Sequence, residues 1–329
     1  MTSSLDRVGL FLPTEDSTEL VRLAEDLGYE SVWAGEGQGR SAFGKLEAWA
    51  VATDRIGLAT GIVNVFTRTP ATIAQEIATL DSHSNGRAIL GLGTAHPGVV
   101  EGFHGTSFER PLPRVAEYIR LIRRYLASEA SAYEGTFYSP DRTSFWDAFE
   151  PLRDAIPIYN AALGQANVRL TGELADGWVP NFYPRERFTE ARDWLAVGAD
   201  RGGRRADDID VAMYILVVAD ENQATAREQA ARHIAFYVRD IPGYYARSLR
   251  EVGYEDVVNR IEAASSTNAG SAEVTDDLID SLAIAGTPTE VRAELASLVE
   301  AGVDLPIIRA PTGTDHATIE SMLRAVAPP

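Results

Sequence analysis

The chain has 329 residues, 45% of them hydrophobic, which is enough apolar material for a sizeable buried core. Its formal charge is −18, so its field repels nucleic acid and anionic lipid surfaces, and neither is expected as a partner. Cysteine is absent, which excludes disulfides, thiolate metal ligands and a cysteine nucleophile; no stretch approaches the roughly 20 apolar residues of a membrane span and no basic leader is visible, so a soluble, cytoplasmic protein is expected.

In chain order, eight apolar, β-branched segments alternate with longer stretches of helical period, the pattern of βα units around a parallel sheet. Strands are predicted near residues 8–13, 31–36, 56–64, 88–94, 156–161, 177–181, 209–218 and 305–309. After the first strand, Asp16 and Glu19 form a capping-box pattern, Leu20, Leu23 and Leu27 make a buried stripe, and Gly28 can stop the helix. Pro70 opens the third helix, with Ile73, Ile77 and Leu80 on one face. Near the C-terminus Thr287, Pro288 and Glu290 start another, before Val291, Leu295, Leu298 and a terminating Gly302. Eight strands is the number that closes a (β/α)8 TIM barrel, and residues 1–329 read as one such domain with insertions near 127–155 and 236–272. The first insertion carries a turn at Tyr133-Glu134-Gly135-Thr136-Phe137 and an aromatic cluster of Tyr138, Phe145, Trp146 and Phe149. The second adds Tyr237, Tyr244 and Tyr245, then a small-residue run over 263–272. Excursions of this length are expected to form lids or pocket walls.

In such a barrel chemistry sits at the C-terminal ends of the strands, which directs attention to Glu36, 61–64, 94–96, 160–167 and 177–181. A dinucleotide-binding fold is disfavoured, because residues 35–40 (GEGQGR) and 91–96 (GLGTAH) both fail to complete G-x-G-x-x-G. A glycosidase needs two facing carboxylates at strand ends, and only Glu36 offers itself. His96, Glu101 and His104 lack the spacing of a one-face helical metal pair, so no metal is assigned. His96, just past the fourth strand, is the better candidate for a proton donor, since imidazole changes protonation near neutral pH; a structural loop histidine is the competing reading. Gly164-Gln165-Ala166-Asn167 falls between a strand and a helix, where free backbone N–H groups can hold a phosphate, with an ordinary tight turn as the alternative. Arg169, Arg185 and Arg187 are candidates to neutralise such a group.

The strings SVWAGE (31–36), IGLATGIVNVFTRTPATIAQEIATLD (56–81), GRAILGLGTAHPGVVEGFHG (86–105), RLTGELADGWVPNF (169–182) and GTPTEVRAELASLVEAGVD (286–304) resemble the luciferase-like monooxygenase superfamily, and within it the coenzyme F420-dependent branch. The resemblance implies an oxidoreductase whose tricyclic cofactor lies across the barrel mouth, phosphate tail toward strands five and six, and exchanges a hydride at C5 with a small organic substrate. It implies a bulge with a non-prolyl cis peptide at Gly61-Ile62 under one face of the ring. By the same resemblance, cofactor contacts are expected from Thr60, Gly61, Ile62, Asn64, Gly93 and Thr94, from Gly164, Gln165, Ala166 and Asn167, and from Gly177, Trp178, Val179 and Pro180. Glu36 and His96 are the expected catalytic groups. Many relatives follow the acid with histidine; Gly37 stands here instead, which argues against the sugar-phosphate dehydrogenase subgroup. Phe11 stands where the methylene-tetrahydromethanopterin reductases place a glutamate, so their pterin substrate is not assigned. Coenzyme F420 is favoured over FMN on the resemblance alone. An FMN-dependent monooxygenase and a barrel that binds a flavin-like ligand without turnover stay open as alternatives. Relatives are commonly homodimers, and a homodimer is expected.

Overall fold

Segments such as GLFL and SVWA, buried at every position, suit strands covered on both faces, as parallel strands under helices must be. The computed structural model describes residues 5–146, 149–241 and 243–329; positions 147, 148 and 242, inside the two expected insertions, lie outside the described residues. The strands are β1 (Gly9–Leu12), β2 (Ser31–Ala34), β3 (Gly57–Thr60), β4 (Val63–Asn64), β5 (Ala88–Gly93), β6 (Ile158–Asn160), β7 (Gly177–Trp178), β8 (Asp210–Ala219), β9 (Ala283–Gly286) and β10 (Leu305–Arg309). All pair in parallel in the order β10-β1-β2-β3-β5-β6-β7-β8, and β8 returns to β10 through Ala212↔Leu305, which closes the (β/α)8 TIM barrel. Each of the eight expected strands is present.

β3 and β4 make one barrel strand interrupted at Gly61-Ile62, where the peptide bond is cis. Thr60 ties the interruption to β5: its hydroxyl donates to Gly91 O and accepts from Gly91 N, both at 2.8 Å. A side chain on Gly91 would sit 2.0 Å from Thr60 O, so only glycine lets the strands approach this closely. β9 was not expected from the sequence. It pairs with the C-terminal half of β8 (Leu216↔Ala283), outside the closed barrel.

Phe11, Trp33, Tyr159, Tyr214 and Ile307 fill the barrel interior. Gly177 makes room for Tyr159, whose ring carbons would stand 2.2 Å from an added Cβ. Below them Arg7 bridges Glu30 (2.6 Å) and Asp210 (2.8 Å), and Tyr159 donates to Asp210 at 2.7 Å, so polar groups close the end remote from the strand C-termini.

Helix punctuation follows the sequence with one correction. The helix Thr18–Asp26 is capped by Ser17, whose Oγ accepts from Leu20 N at 3.2 Å; Asp16 lies one residue too early to reach the first turn. Gly28 then leaves the helix in the left-handed region at φ +85°, as expected. The Thr287/Glu290 capping box forms, with Glu290 accepting from Thr287 N at 2.8 Å. No helix among the described residues is long and apolar enough to cross a membrane.

The two insertions behave differently. The 133–137 turn packs against the helix Pro111–Leu126, where buried Glu117 accepts from the N–H groups of Thr136 (2.9 Å), Phe137 (3.0 Å) and Tyr138 (2.8 Å). None of its described residues reaches the cavity at the barrel mouth, which corrects the expectation of a lid there. The second insertion does wall that cavity, through Tyr237, Ile241, Tyr244 and Tyr245. Its small-residue run contains the short helix Thr267–Ser271, capped by Ser266.

Candidate active site

A cavity of about 670 Å³ opens at the C-terminal ends of the strands, within the range of small-molecule and cofactor sites. It is lined by Gly61, Ile62, Thr94, His96 and the 164–167 segment, and by Asn181, Tyr214, Tyr237, Tyr245 and Arg309; Phe11 and Val179 also line it.

The floor depends on small residues. A Cβ on Gly61 would stand 2.5 Å from Tyr214 Oη and 3.1 Å from Phe11 Cε2; one on Gly93 would stand 3.0 Å from Ile62 Cδ1. Tyr214 is buried and its hydroxyl has no hydrogen-bond partner among the described residues. Burial holds this phenol well above its ordinary pKa, so it stays protonated and can only be satisfied by something that enters the cavity or by solvent.

Beyond β5, Ala95 takes a left-handed φ of +51° and turns the chain so that Thr94, Ala95 and His96 all line the cavity. His96 Nδ1 is buried without a partner among the described residues, and burial lowers the imidazole pKa below 6.5. Glu101 is engaged with Phe108 N (3.1 Å), and His104 packs edge-on against exposed Phe103.

The helix Gln165–Leu174 begins at the cavity with Gly164 as N-cap, and no described side chain caps its first turn. Buried Asn160 holds this turn: its Nδ2 donates to Asn167 Oδ1 (3.0 Å) and Thr171 Oγ1 (2.8 Å), while Asn167 donates to Ala161 O. Of the three arginines proposed for this end, Arg185 is paired with Glu294 at 3.0 Å and Arg187 with Glu251 at 2.6 Å. Arg169 has no carboxylate partner among the described residues and lies 3.1 Å from Gln165 once that amide is oriented to accept from Trp194.

The structure therefore brings together Gly61, Ile62, Thr94, His96, Gly164, Gln165, Ala166, Asn167 and Val179. Other expected residues stand one layer back. Thr60 bonds Gly91 as described, Asn64 Oδ1 accepts from Phe66 and Thr67 N, and Trp178 donates to Ala162 O at 2.9 Å. Pro180 O accepts from Tyr214 N, while Gly93 and Gly177 give space to Ile62 and Tyr159. Glu36 is also absent from the lining. Its carboxylate grips Arg68 through both oxygens (2.5 and 3.0 Å) and accepts from Ala42 N at 2.9 Å, the first residue of the next helix, so its lone pairs are committed to anchoring the loop.

Sequence reasoning missed Tyr214 and Arg309. Arg309 ends β10, is only 4% exposed, and carries the signal applied to Glu36, a charged residue closing a buried strand at the barrel rim.

The family profile described as "Luciferase-like monooxygenase" matches residues 8–305. A Mycobacterium tuberculosis protein assigned by name to the coenzyme F420-dependent oxidoreductases is 33% identical over 317 residues, covering 91% of each chain. The 5,10-methylenetetrahydromethanopterin reductase of Methanolobus tindarius is 30% identical over 310 residues, covering 92% of this chain and 93% of the relative. Among solved structures, the coenzyme F420-dependent tetrahydromethanopterin reductase of Methanopyrus kandleri superposes with a TM-score of 0.83 at 27% identity, covering 98% of this chain and 97% of that one. Barrel closure, the interrupted third strand and these likenesses along nearly the whole length agree: the chain belongs to the luciferase-like monooxygenase family.

Proposed function

We propose that this chain is an oxidoreductase that passes a hydride between coenzyme F420 and a small organic substrate, both held in the cavity at the barrel mouth. One observation carries the reading: the glycine floor at residue 61, with the unpartnered Tyr214 hydroxyl and His96 Nδ1 buried around one roomy cavity. Apolar walls with a few unmet polar atoms suit a flat heterocycle with a polar edge, and about 670 Å³ admits three fused rings. The F420 in the names of similar proteins supports the choice over FMN.

When bound, the deazaflavin would supply a carbon, C5, able to accept or release a hydride. Gly61, Ile62 and Thr94 would form the floor and edge that orient the ring, with Gly93 giving Ile62 the space to do so. The open helix start at 164–167 and Arg169 would hold the phosphate of the tail. Thr60, Asn64, Gly177, Trp178 and Pro180 act through the strands they position. A hydride carries both electrons, so reduction of a carbonyl or imine also takes up one proton; His96 is assigned to supply it and to accept it in the reverse direction. Glu36 is assigned to anchor the loop through Arg68, in place of the catalytic role expected from the sequence. Cytoplasmic residence and a homodimer, the latter checked by light scattering, belong to the same proposal.

The test uses reduced F420 carrying deuterium at C5, mixed under nitrogen with the protein and a panel of carbonyl, imine and enone acceptors, with mass spectrometry of the products. Deuterium on product carbon supports the reading. Product formed only with reduced FMN and oxygen overturns it.

A further inference from the structure

The substrate end of the cavity has a charge that the chain leaves unbalanced. Arg309 is the only charged residue among the described residues that line the cavity, in a protein whose net charge is −18. Arg309 has no carboxylate within ion-pair distance among the described residues; its one side-chain hydrogen bond there goes to a neutral phenol. A buried guanidinium without a counter-ion is costly, and side chains that are almost fully buried and charged are normally paired.

Its surroundings hold it in place without neutralising it. The guanidinium carbon lies 5.2 Å from the centre of the Phe11 ring and 5.3 Å from that of Tyr237, so two aromatic faces fix it. Nη1 donates to Tyr237 Oη at 2.5 Å, and Nε is buried with no acceptor. Of the five N–H donors in the fork, that single bond is the one made to a described protein atom, and the rest match the two oxygens of a planar anion. Phe11 also touches the Gly61 position, 3.1 Å from a Cβ built there, so the cation and the floor meet on the same ring. The remaining wall is apolar or aromatic, with Ile241, Tyr244 and Tyr245, and Asn181 donates its amide to Tyr245 Oη at 2.9 Å.

We propose that Arg309 is the anion anchor of the substrate subsite, and that the substrate is an organic monocarboxylate with a flat, apolar body lying against Phe11, Tyr237 and Tyr245. One guanidinium balances one negative charge, and among the described residues no second cation lines the cavity to match a phosphate dianion. The proposal rests on the oxidoreductase reading for calling the bound molecule a substrate. The anchor itself is built from this chain alone.

The experiment titrates the wild-type protein, without cofactor, with benzoate, its neutral isostere benzamide, and inorganic phosphate, following heat of binding and thermal shift. Saturable benzoate binding, at least about tenfold tighter than benzamide or phosphate, is expected. Arg309→Met should remove that preference and Arg309→Lys should retain part of it, because the charge stays while the planar fork is lost. Both variants are then titrated with F420, whose affinity should stay within about twofold of wild type. Equal affinity of the wild type for benzoate and benzamide overturns the proposal even if the variants do not fold. A loss of F420 binding in Arg309→Met matching the loss of benzoate binding also overturns it, because the arginine would then serve the cofactor. Failure of F420 to bind while benzoate preference persists would sink the oxidoreductase reading and leave the anchor standing.

Discussion

Replacing Gly61 by alanine tests the cavity floor, because the obstruction is a single atom that a second substitution can remove. The new Cβ would stand 2.5 Å from Tyr214 Oη. Tyr214 has little room to retreat: its ring is 4.6 Å from that of Phe11 and 5.9 Å from that of Trp33, and Trp33 is itself fixed by a 2.9 Å hydrogen bond to Ser31. Overpacking of this kind costs roughly 1–3 kcal/mol. Tyr214→Phe alone removes a buried hydroxyl that has no partner, so it should cost little or stabilise. In the double variant the closest contact relaxes to the 3.1 Å approach to Phe11, which a ring can absorb. The two changes should therefore couple by at least about 1 kcal/mol in a double-mutant cycle. Urea unfolding of the four proteins measures this, and an F420 titration of each reports whether the floor also shapes the cofactor site. Additive stabilities would refute the steric account of Gly61.

Three further outcomes follow from other parts of the molecule. Burial, reinforced by the charge of Arg309, pushes the His233 pKa from 6.5 down to about 3, and its Nδ1 accepts from Thr312 N. The unfolded chain thus gains a proton below 6.5 that the folded chain refuses, so stability is lost as pH falls from 6.5 toward 3, by about 2 kcal/mol near pH 5. His233→Gln should flatten the urea midpoint over that window, and an unchanged slope would contradict the assignment. Arg153 pairs with fully buried Asp81 and donates to Ala88 O at 2.8 Å; Arg153→Ala should cost about 3–5 kcal/mol of unfolding free energy, and a loss below about 1 kcal/mol would show the pair to be unimportant. Because burial lowers the His96 pKa, the rate of substrate reduction should fall as pH rises through a value below 6.5, and His96→Gln should abolish that limb; Glu36→Gln should lower thermal stability with little change in the limb.

The barrel was legible because its eight strands obey local rules: buried β-branched runs, glycine stops and capping residues such as Thr287 with Glu290. β9 was not, because Ala283–Gly286 reads AIAG, four residues without β-branched repetition that continue a helical stretch and gain strand character only by lying on β8. Ser17 and Asp16 are both good N-caps, and only the angle at which the chain enters the helix selects between them. The cofactor end of the site could be sketched from glycines at strand ends, since close packing leaves a compositional trace at Gly61 and Gly93. Tyr214 leaves none, and the rim charge of Arg309 is a signal that is easily passed over. A tyrosine inside a buried strand looks like core, and an arginine after LPII looks like a surface terminus, until barrel closure turns both inward to one cavity. Glu36 shows the converse. Its position at the rim pointed to chemistry, but a neighbouring arginine thirty-two residues on claims both its oxygens.

The most direct measurement on the central claim is an equilibrium fluorescence titration of the purified wild-type chain with F420 and, separately, with FMN. The account predicts saturable F420 binding that is at least about tenfold tighter than FMN binding and weakened when Arg169 is replaced by alanine. Tight, saturable FMN binding with no response to F420 would contradict it.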